Sequence, residues 1–597
     1  MKMDVAADKS GLVLSWVYDS IIVGLLALVL YLGLSFTRPL ASPDEGRYSE
    51  IPREMVECGD YVTPRLNGMP YFYKPPLFYW MQAASIEAFG INRTSLRLMN
   101  ALVSAFGVWF AYAAGRVLFC RKTGLFAAAV LSTSALYLAM GNIVTMDMSV
   151  SVFAAASMLS ALVAPRVDGV WRWLWGLGIF AFAGAAVMSK GLIGIFIPSA
   201  VIFLYMLAVG WKNFWAQFKL SDIKILIAGV FVFAAIVVPW HVLASVANPS
   251  FENAEGILSK NAQGQGFFWY YFVHEHVLRY LDASTSMRYQ PFWFFLALAP
   301  VGLVPWVVFA PRAVANYISD TGRAFRSKNT GLLYMLVWVV FVVFFFSLSK
   351  SKLAPYILPI YPALAIFVGW WLSRWWDGLS NPKIESWIMV ALGYVGAAAL
   401  PFVYLILDSK GEIFDHSSAI CAMSACALVL LVGSSVSCFF LLRKRRRAFI
   451  ISMAASIFCF SMCFNPMGTI FQRPSAERMV KKILPQLGPD DALVVYTDYG
   501  IYQDLPVWAG RLPHCVGIPP TEQRFGFMRE KELHEHRFIN GDSGFVDFAK
   551  KHAGDIYIFT RRDRVDGILK LNPSAAEIDS EGVMVLLKMA GGANATR

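Results

Sequence analysis

Apolar residues in this chain come in long unbroken runs. Thirteen stretches approach the roughly 20 residues that cross a bilayer core of about 30 Å. They lie near 18–36, 96–118, 123–140, 145–164, 172–189, 191–209, 224–246, 291–310, 331–348, 355–373, 386–407, 418–442 and 448–465. Between the first two lies a polar segment, 41–80, ASPDEGRYSEIPREMVECGDYVTPRLNGMPYFYKPPLFYW, dense in both signs of charge. After 465 the pattern changes. DALVVYTDYG and AGDIYIFTRRD read as strands, and PSAERMVKKILPQL has the spacing of an amphipathic helix. The pattern predicts an all-α polytopic membrane protein of about 13 transmembrane helices with a C-terminal α/β domain. Its membrane domain covers 1–465, with large outer loops at 37–95 and 247–290, and the α/β domain covers 466–597.

Composition supports this. Of the 597 residues 57% are hydrophobic and only 15% charged, too apolar for a soluble fold. The net charge of +12 belongs to topology rather than to nucleic acid. Basic residues such as Arg116, Arg121 and Lys122, Lys212 to Lys224, Arg374, and the run 443–447 fall on alternate loops shared with the N-terminus. That side is therefore expected to be cytoplasmic, and thirteen spans put the C-terminus outside. Cys58 and Cys515 both fall in outer segments, where a disulfide between them can form. His534 and His536 in ELHEHRF read as solvated.

Five basic residues break the topology rule: Arg47, Lys74, Lys190, Lys350 and Lys352. Cations on the wrong side suggest a bound anion, the alternative being a side chain that snorkels to the interface. Lys74 sits in an aromatic and proline frame, YFYKPP, where a rigid ammonium suits a phosphate. Asp44 follows the first span closely, either as a catalytic carboxylate or as the start of a helix at Ser42-Pro43-Asp44-Glu45. Asp147 in TMDM is an acid at the outer end of a span, by default a functional group, otherwise a cap. His274 and His276 could join a zinc site but lack the i, i+4 spacing of HExxH; a packed interfacial pair is the plainer reading. Charged loops outside the cytoplasm have no nucleotide sugar to use. A polyprenyl-phosphate sugar supplies a donor through the membrane, with cations neutralising its phosphate and no metal required.

DEGRY, YFYKPP, TMDM, SKG at 189–191 and KLAPYILPIYP at 352–362 together resemble the bacterial lipid A aminoarabinose transferase family. This family belongs to the GT-C superfamily and is related to protein O-mannosyltransferases. The resemblance implies an inverting, multi-pass enzyme of the inner membrane, working on the periplasmic side. It implies an undecaprenyl-phosphate-linked donor, a lipid A acceptor and resistance to cationic peptides such as polymyxin. It implies Asp44 as the main catalytic carboxylate and Asp147 as a second acid. Arg47, Lys74 and Tyr356 would hold the donor phosphate, with Lys190, Lys350 and Lys352 lining the cavity. One position departs from the pattern: Tyr73 stands before the motif lysine, where family members often carry an acid, which bears on any metal held with His274 or His276. Two other readings stand beside this one. The first is a polyprenyl-phosphate-sugar transferase acting on a protein or glycan hydroxyl. The second is a lipid or sugar transporter, disfavoured because no internal repeat is seen.

Overall fold

A computed structural model of the chain describes residues 2–35, 38–251, 254, 262–278, 289–324, 330–379, 381–409, 413, 416–464, 475–496 and 499–592. Among these, ten helices are long and apolar enough to cross a membrane, and up to twelve spans result if two bent pairs each count as one. The chain is thus a polytopic, mostly helical membrane protein. All thirteen apolar stretches read from the sequence fall on helices, but three are not simple spans. Arg121–Thr133 (α5) and Ala135–Gly141 (α6) meet at 65°, and Phe294–Gly302 meets the segment Trp306–Ile318 at 102°. Ile193–Val209 (α9) is apolar but shorter than a full span.

The first loop is largely folded. Lys2–Ser35 (α1) is followed by Asp44–Cys58 (α2), a short hairpin of Arg65–Leu66 (β1) and Met69–Pro70 (β2), and Leu77–Phe89 (α3), before Ser95–Leu118 (α4). Helix α2 opens with Asp44 and Glu45 in its first turn, where acids favour the positive end of the helix dipole, and it stops at Gly59 in a left-handed conformation.

Glu45 is completely buried and ties this loop to the membrane helices. Its Oε2 accepts from Arg38 Nη1 at 2.5 Å, Arg97 Nη2 at 2.9 Å and the Ala41 amide at 2.6 Å. Its Oε1 accepts from Arg38 Nη2 at 3.0 Å, Arg97 Nε at 3.2 Å and the Val144 amide at 2.8 Å. Burial by itself raises a carboxyl pKa; Arg97 and Arg38 outweigh it here and hold Glu45 well below the ordinary value. Arg97 then donates to the carbonyls of Ser35, Arg38 and Pro39. One carboxylate thereby fixes the end of α1, the start of α2 and α4, and the strand of chain leading into Met146–Val163 (α7).

The C-terminal domain is a six-stranded sheet in the order β5-β4-β3-β6-β8-β7. Its strands are Ala492–Val495 (β3), His514–Val516 (β4), Phe538–Ile539 (β5), Asp555–Arg561 (β6), Ala576–Glu581 (β7) and Met584–Ala590 (β8). β3 to β6 pair in parallel, and β8 joins β6 and β7 antiparallel. Both faces are covered: Leu493, Val495 and Phe559 pack on one side, Val494, Ile556 and Ile558 on the other. The domain lies against the first loop through Arg65–Glu530 at 2.8 Å and Arg93–Glu477 at 2.9 Å. At the same junction Asp504 accepts from Ser475 Oγ, from the Ala476 amide at 2.9 Å and from Ser42 Oγ at 3.4 Å.

Two readings of the sequence are corrected. No disulfide joins Cys58 to Cys515: both thiols are free, the first exposed at the end of α2 and the second buried on β4. His534 is not solvated; it is buried, with Nε2 3.1 Å from Glu530 Oε2, because its short helix packs under the Arg65 hairpin.

Glu45→Ala leaves two buried guanidinium groups without their counter-charge, and a loss of about 3–5 kcal/mol is expected; thermal unfolding in detergent reads it. Burial pushes Asp504 up to about 6, although the bonds from Ser475 and Ala476 pull the other way. The folded chain thus keeps this proton to a higher pH than an unfolded one, whose carboxyl titrates near 3.8. That stabilisation is present in acid and lost as pH rises through about 6. A melting temperature that falls between about pH 4 and 7 in the wild type and declines less in Asp504→Asn is expected.

Candidate active site

Each residue of the sequence Asp44-Glu45-Gly46-Arg47-Tyr48 faces a different neighbour, as successive positions about 100° apart on a helix must. Glu45 points inward, as described. Asp44 points outward and keeps more than half of its side chain exposed, with Oδ1 3.9 Å from Arg47 Nη1. It stands in the first turn of α2 but does not cap the helix through its side chain. A Cβ on Gly46 would come 2.6 Å from the Asp504 amide nitrogen, so only glycine allows the C-terminal domain this close. Arg47 is nearly buried. Its Nη2 lies 2.7 Å from Glu522 Oε2 and its Nε donates to Gln503 Oε1 at 3.1 Å. The Arg47 charge also acts on the Tyr71 hydroxyl, and burial holds Tyr71 and Tyr48 above the ordinary phenol range, so both keep their protons.

A second group comes from the membrane helices. Asp147, in the first turn of α7, forms an ion pair with Lys190 at the last turn of Gly169–Lys190 (α8). Asp147 does not cap its helix; its partner is the lysine. The Lys190 ammonium lies 5.1 Å from the centroid of the Tyr356 ring, a cation–π contact. The turn that carries Lys190 requires Gly191, which has φ +94° and whose Cβ would meet His276 Nε2 at 2.8 Å and the Tyr271 hydroxyl at 2.9 Å. Tyr48 links the two groups: Asp44, Arg47 and Asp147 all act on its hydroxyl electrostatically, and Asp44 also acts on Lys190. Asp44, Arg47, Asp147, Lys190 and Tyr356 are therefore one constellation where the first turn of α7 meets the last turn of α8.

The remaining candidates are arranged differently. Lys74 is half-buried and its charge acts on His276, the neighbour of Gly191. The Lys352 ammonium donates to the carbonyls of Gln290 (2.9 Å) and Ser349, tying its turn to the segment around residue 290. Lys350 is exposed beside it. His274 stacks on Tyr270 at 4.8 Å, while His276 Nδ1 lies 2.6 Å from the Tyr271 carbonyl oxygen. Burial lowers the His276 pKa, so the ring is neutral near pH 7. The two rings do not converge, and among the described residues no group of three His, Cys, Asp or Glu could hold a metal ion. Sequence reading missed Glu45, Tyr48, Gln503 and Glu522. The first two lie inside the DEGRY motif, but nothing near residues 503 or 522 pointed to a site. An apolar cavity of 560 Å³ adjoins the Glu45 anchor, lined by Leu34, Leu136, Met389, Leu430 and Phe460, with Arg38 at its edge.

Residues 73–242 match the family model described as dolichyl-phosphate-mannose-protein mannosyltransferase. The undecaprenyl phosphate-α-4-amino-4-deoxy-L-arabinose arabinosyl transferase 1 of Proteus mirabilis is 30% identical over 409 residues, 68% of either chain. The chain belongs to the aminoarabinose arabinosyl transferase family. Another relative, the second such transferase of Sodalis glossinidius, is 32% identical over 58% of each chain. The crystal structure of ArnT from Cupriavidus metallidurans bound to undecaprenyl phosphate superposes with a TM-score of 0.78 at 25% identity, covering 95% of this chain and 97% of that one. As a member of the arabinosyl transferase family, with the GT-C fold, the chain is a membrane glycosyltransferase.

In such a site the Asp147–Lys190 pair should show strong coupling. Removing one partner leaves the other charged and mostly buried, so Asp147→Ala or Lys190→Ala alone should destabilise more than the double variant implies by addition. A coupling of roughly 1–3 kcal/mol in a thermal-unfolding double-mutant cycle is expected.

Proposed function

We propose that this chain transfers 4-amino-4-deoxy-L-arabinose from undecaprenyl phosphate to a phosphate of lipid A, on the periplasmic face of the bacterial inner membrane. The observation that carries the reading is the constellation of Asp44, Arg47, Asp147, Lys190 and Tyr356 at the outer ends of membrane helices, in a family with a crystallised relative bound to undecaprenyl phosphate. The donor's polyprenyl tail stays in lipid while its phosphate enters the site. Arg47 and Lys190 meet that phosphate, assisted by Lys74. The apolar cavity beside Arg38 suits hydrocarbon of a lipid substrate.

The reaction breaks the bond from the anomeric carbon to the donor phosphate oxygen and forms one from that carbon to an oxygen of the acceptor phosphate. Attack comes from the face opposite the leaving group, so the configuration inverts. Undecaprenyl phosphate departs with the electron pair of the broken bond, and the cations stabilise the charge it gains. A phosphate acceptor is already ionised and needs no general base. Asp44, exposed and next to Arg47, then stabilises positive charge developing at the anomeric carbon. Asp147 keeps Lys190 charged and directed. Adding a cationic sugar to lipid A masks its phosphate, which weakens attraction for cationic peptides such as polymyxin.

A second reading is favoured by the mannosyltransferase family model across 73–242: transfer to a protein or glycan hydroxyl, with Asp44 as the general base. Mass spectrometry of lipid A separates the two. Cells carrying the chain should show amino-pentose on lipid A phosphate, and cells lacking it, or carrying Asp44→Asn at equal expression, should lose that mass. Lipid A phosphates that are the same with and without the chain support the hydroxyl acceptor.

A further inference from the structure

The C-terminal domain approaches the candidate site closely. The backbone of Gln503 and Asp504 touches Gly46, which lacks the side chain that would keep it away. The segment from Thr521 to Gly526 lies over the YFYK frame. Tyr73 Oη donates to the Thr521 carbonyl at 3.4 Å, Phe525 stacks on Tyr270 at 4.0 Å and packs against Phe72 at 6.0 Å, and Gly526 meets Pro70. Between these contacts two side chains of the domain reach one arginine: Gln503 takes Arg47 Nε and Glu522 takes Nη2.

We propose that the C-terminal domain is a working part of the donor site, with Glu522, helped by Gln503, positioning the Arg47 guanidinium for the donor phosphate. A guanidinium is planar, so holding Nε and Nη2 fixes the direction of Nη1 as well. Nη1 is the edge that faces Asp44, at 3.9 Å, beyond hydrogen-bond distance. An arginine on a long flexible side chain, left to itself, loses rotamer freedom when it meets a phosphate; one held in advance by two acceptors does not. Glu522 is one-third exposed while Arg47 is almost covered, so the arginine has little room to reorient while the carboxylate holds it. Glu522 is a positioning residue: it acts through Arg47 and not on the sugar.

The inference rests on the reading that Arg47 binds the donor phosphate, and its test uses undecaprenyl phosphate itself, without any sugar. The full chain in nanodiscs is titrated with undecaprenyl phosphate as wild type, Glu522→Ala, Arg47→Ala and the double variant. Glu522→Ala should weaken binding about tenfold, and in the Arg47→Ala background it should add nothing. Glu522→Asp should recover part of the affinity. In turnover, Glu522→Ala should raise KM for the lipid-linked donor with kcat little changed. Glu522→Gln, which keeps the shape, reads the same cycle should the alanine variant fail to fold. Unchanged affinity in the Glu522 variants overturns the proposal, as does a loss that adds fully to that of Arg47→Ala, since a carboxylate that merely docks the domain would behave so. Wild-type affinity in Arg47→Ala overturns it too. A chain that binds undecaprenyl phosphate in this pattern yet transfers no aminoarabinose contradicts the substrate reading and leaves the positioning role supported.

Discussion

The carboxylate of Glu45, shut away between Arg38 and Arg97, is the interaction on which the seating of the first loop against the membrane helices depends. Two arginines and one acid carry a net positive charge into a region without water, and that is costly unless geometry and hydrogen bonds are complete. Here they are: six bonds reach the two oxygens, and the spare donors of Arg97 meet backbone carbonyls. The arrangement holds together the turn between α1 and α2, the start of α4 at Arg97 and the chain at Val144, which lie far apart in sequence. It also decides which way its neighbours look. With Glu45 turned inward, Asp44 faces outward, and with Val144 pinned, Asp147 starts its helix opposite Lys190.

Membrane burial made the architecture legible. Backbone polar groups in lipid must be satisfied within each segment, so spans appear as contiguous apolar runs, and all thirteen runs correspond to helices. The bends at Ser134 and between Gly302 and Trp306 were less visible, since apolar composition records depth and not direction. Asp44, Asp147 and Lys190 stood out because charge beside apolar runs is expensive. Their pairing did not, because Asp147 and Lys190 come from different spans and periodicity within one helix says nothing of its neighbour. The partners of Lys352 were hidden for a related reason: they are the carbonyls of Ser349, nearby in the chain, and of Gln290, sixty-two residues away. In the C-terminal domain, β3 and β6 were readable as apolar runs, whereas β4 and β5 have only three and two residues.

Glu45 and Glu522 show two kinds of illegibility. Glu45 lay in plain view inside DEGRY, but adjacency to Asp44 suggested shared chemistry, when the helical step of about 100° sends the two to opposite tasks. Glu522 sits in a polar stretch, TEQR, with nothing to distinguish it from a solvated surface. Its meaning comes only from a tertiary contact across more than four hundred residues, like that of Gln503 with Arg47.

The close seat of Gln503 and Asp504 on Gly46 has a bearing on biogenesis. The helix bearing Asp44 and Arg47 is made more than four hundred residues ahead of Gln503 and Asp504, which complete its surroundings. Until those residues are made and folded, the helix at Gly46 stays uncovered and Arg47 lacks its bonds to Gln503 and Glu522. Threading the helices into lipid and completing the surroundings of Arg47 are thus separate events in the making of each copy.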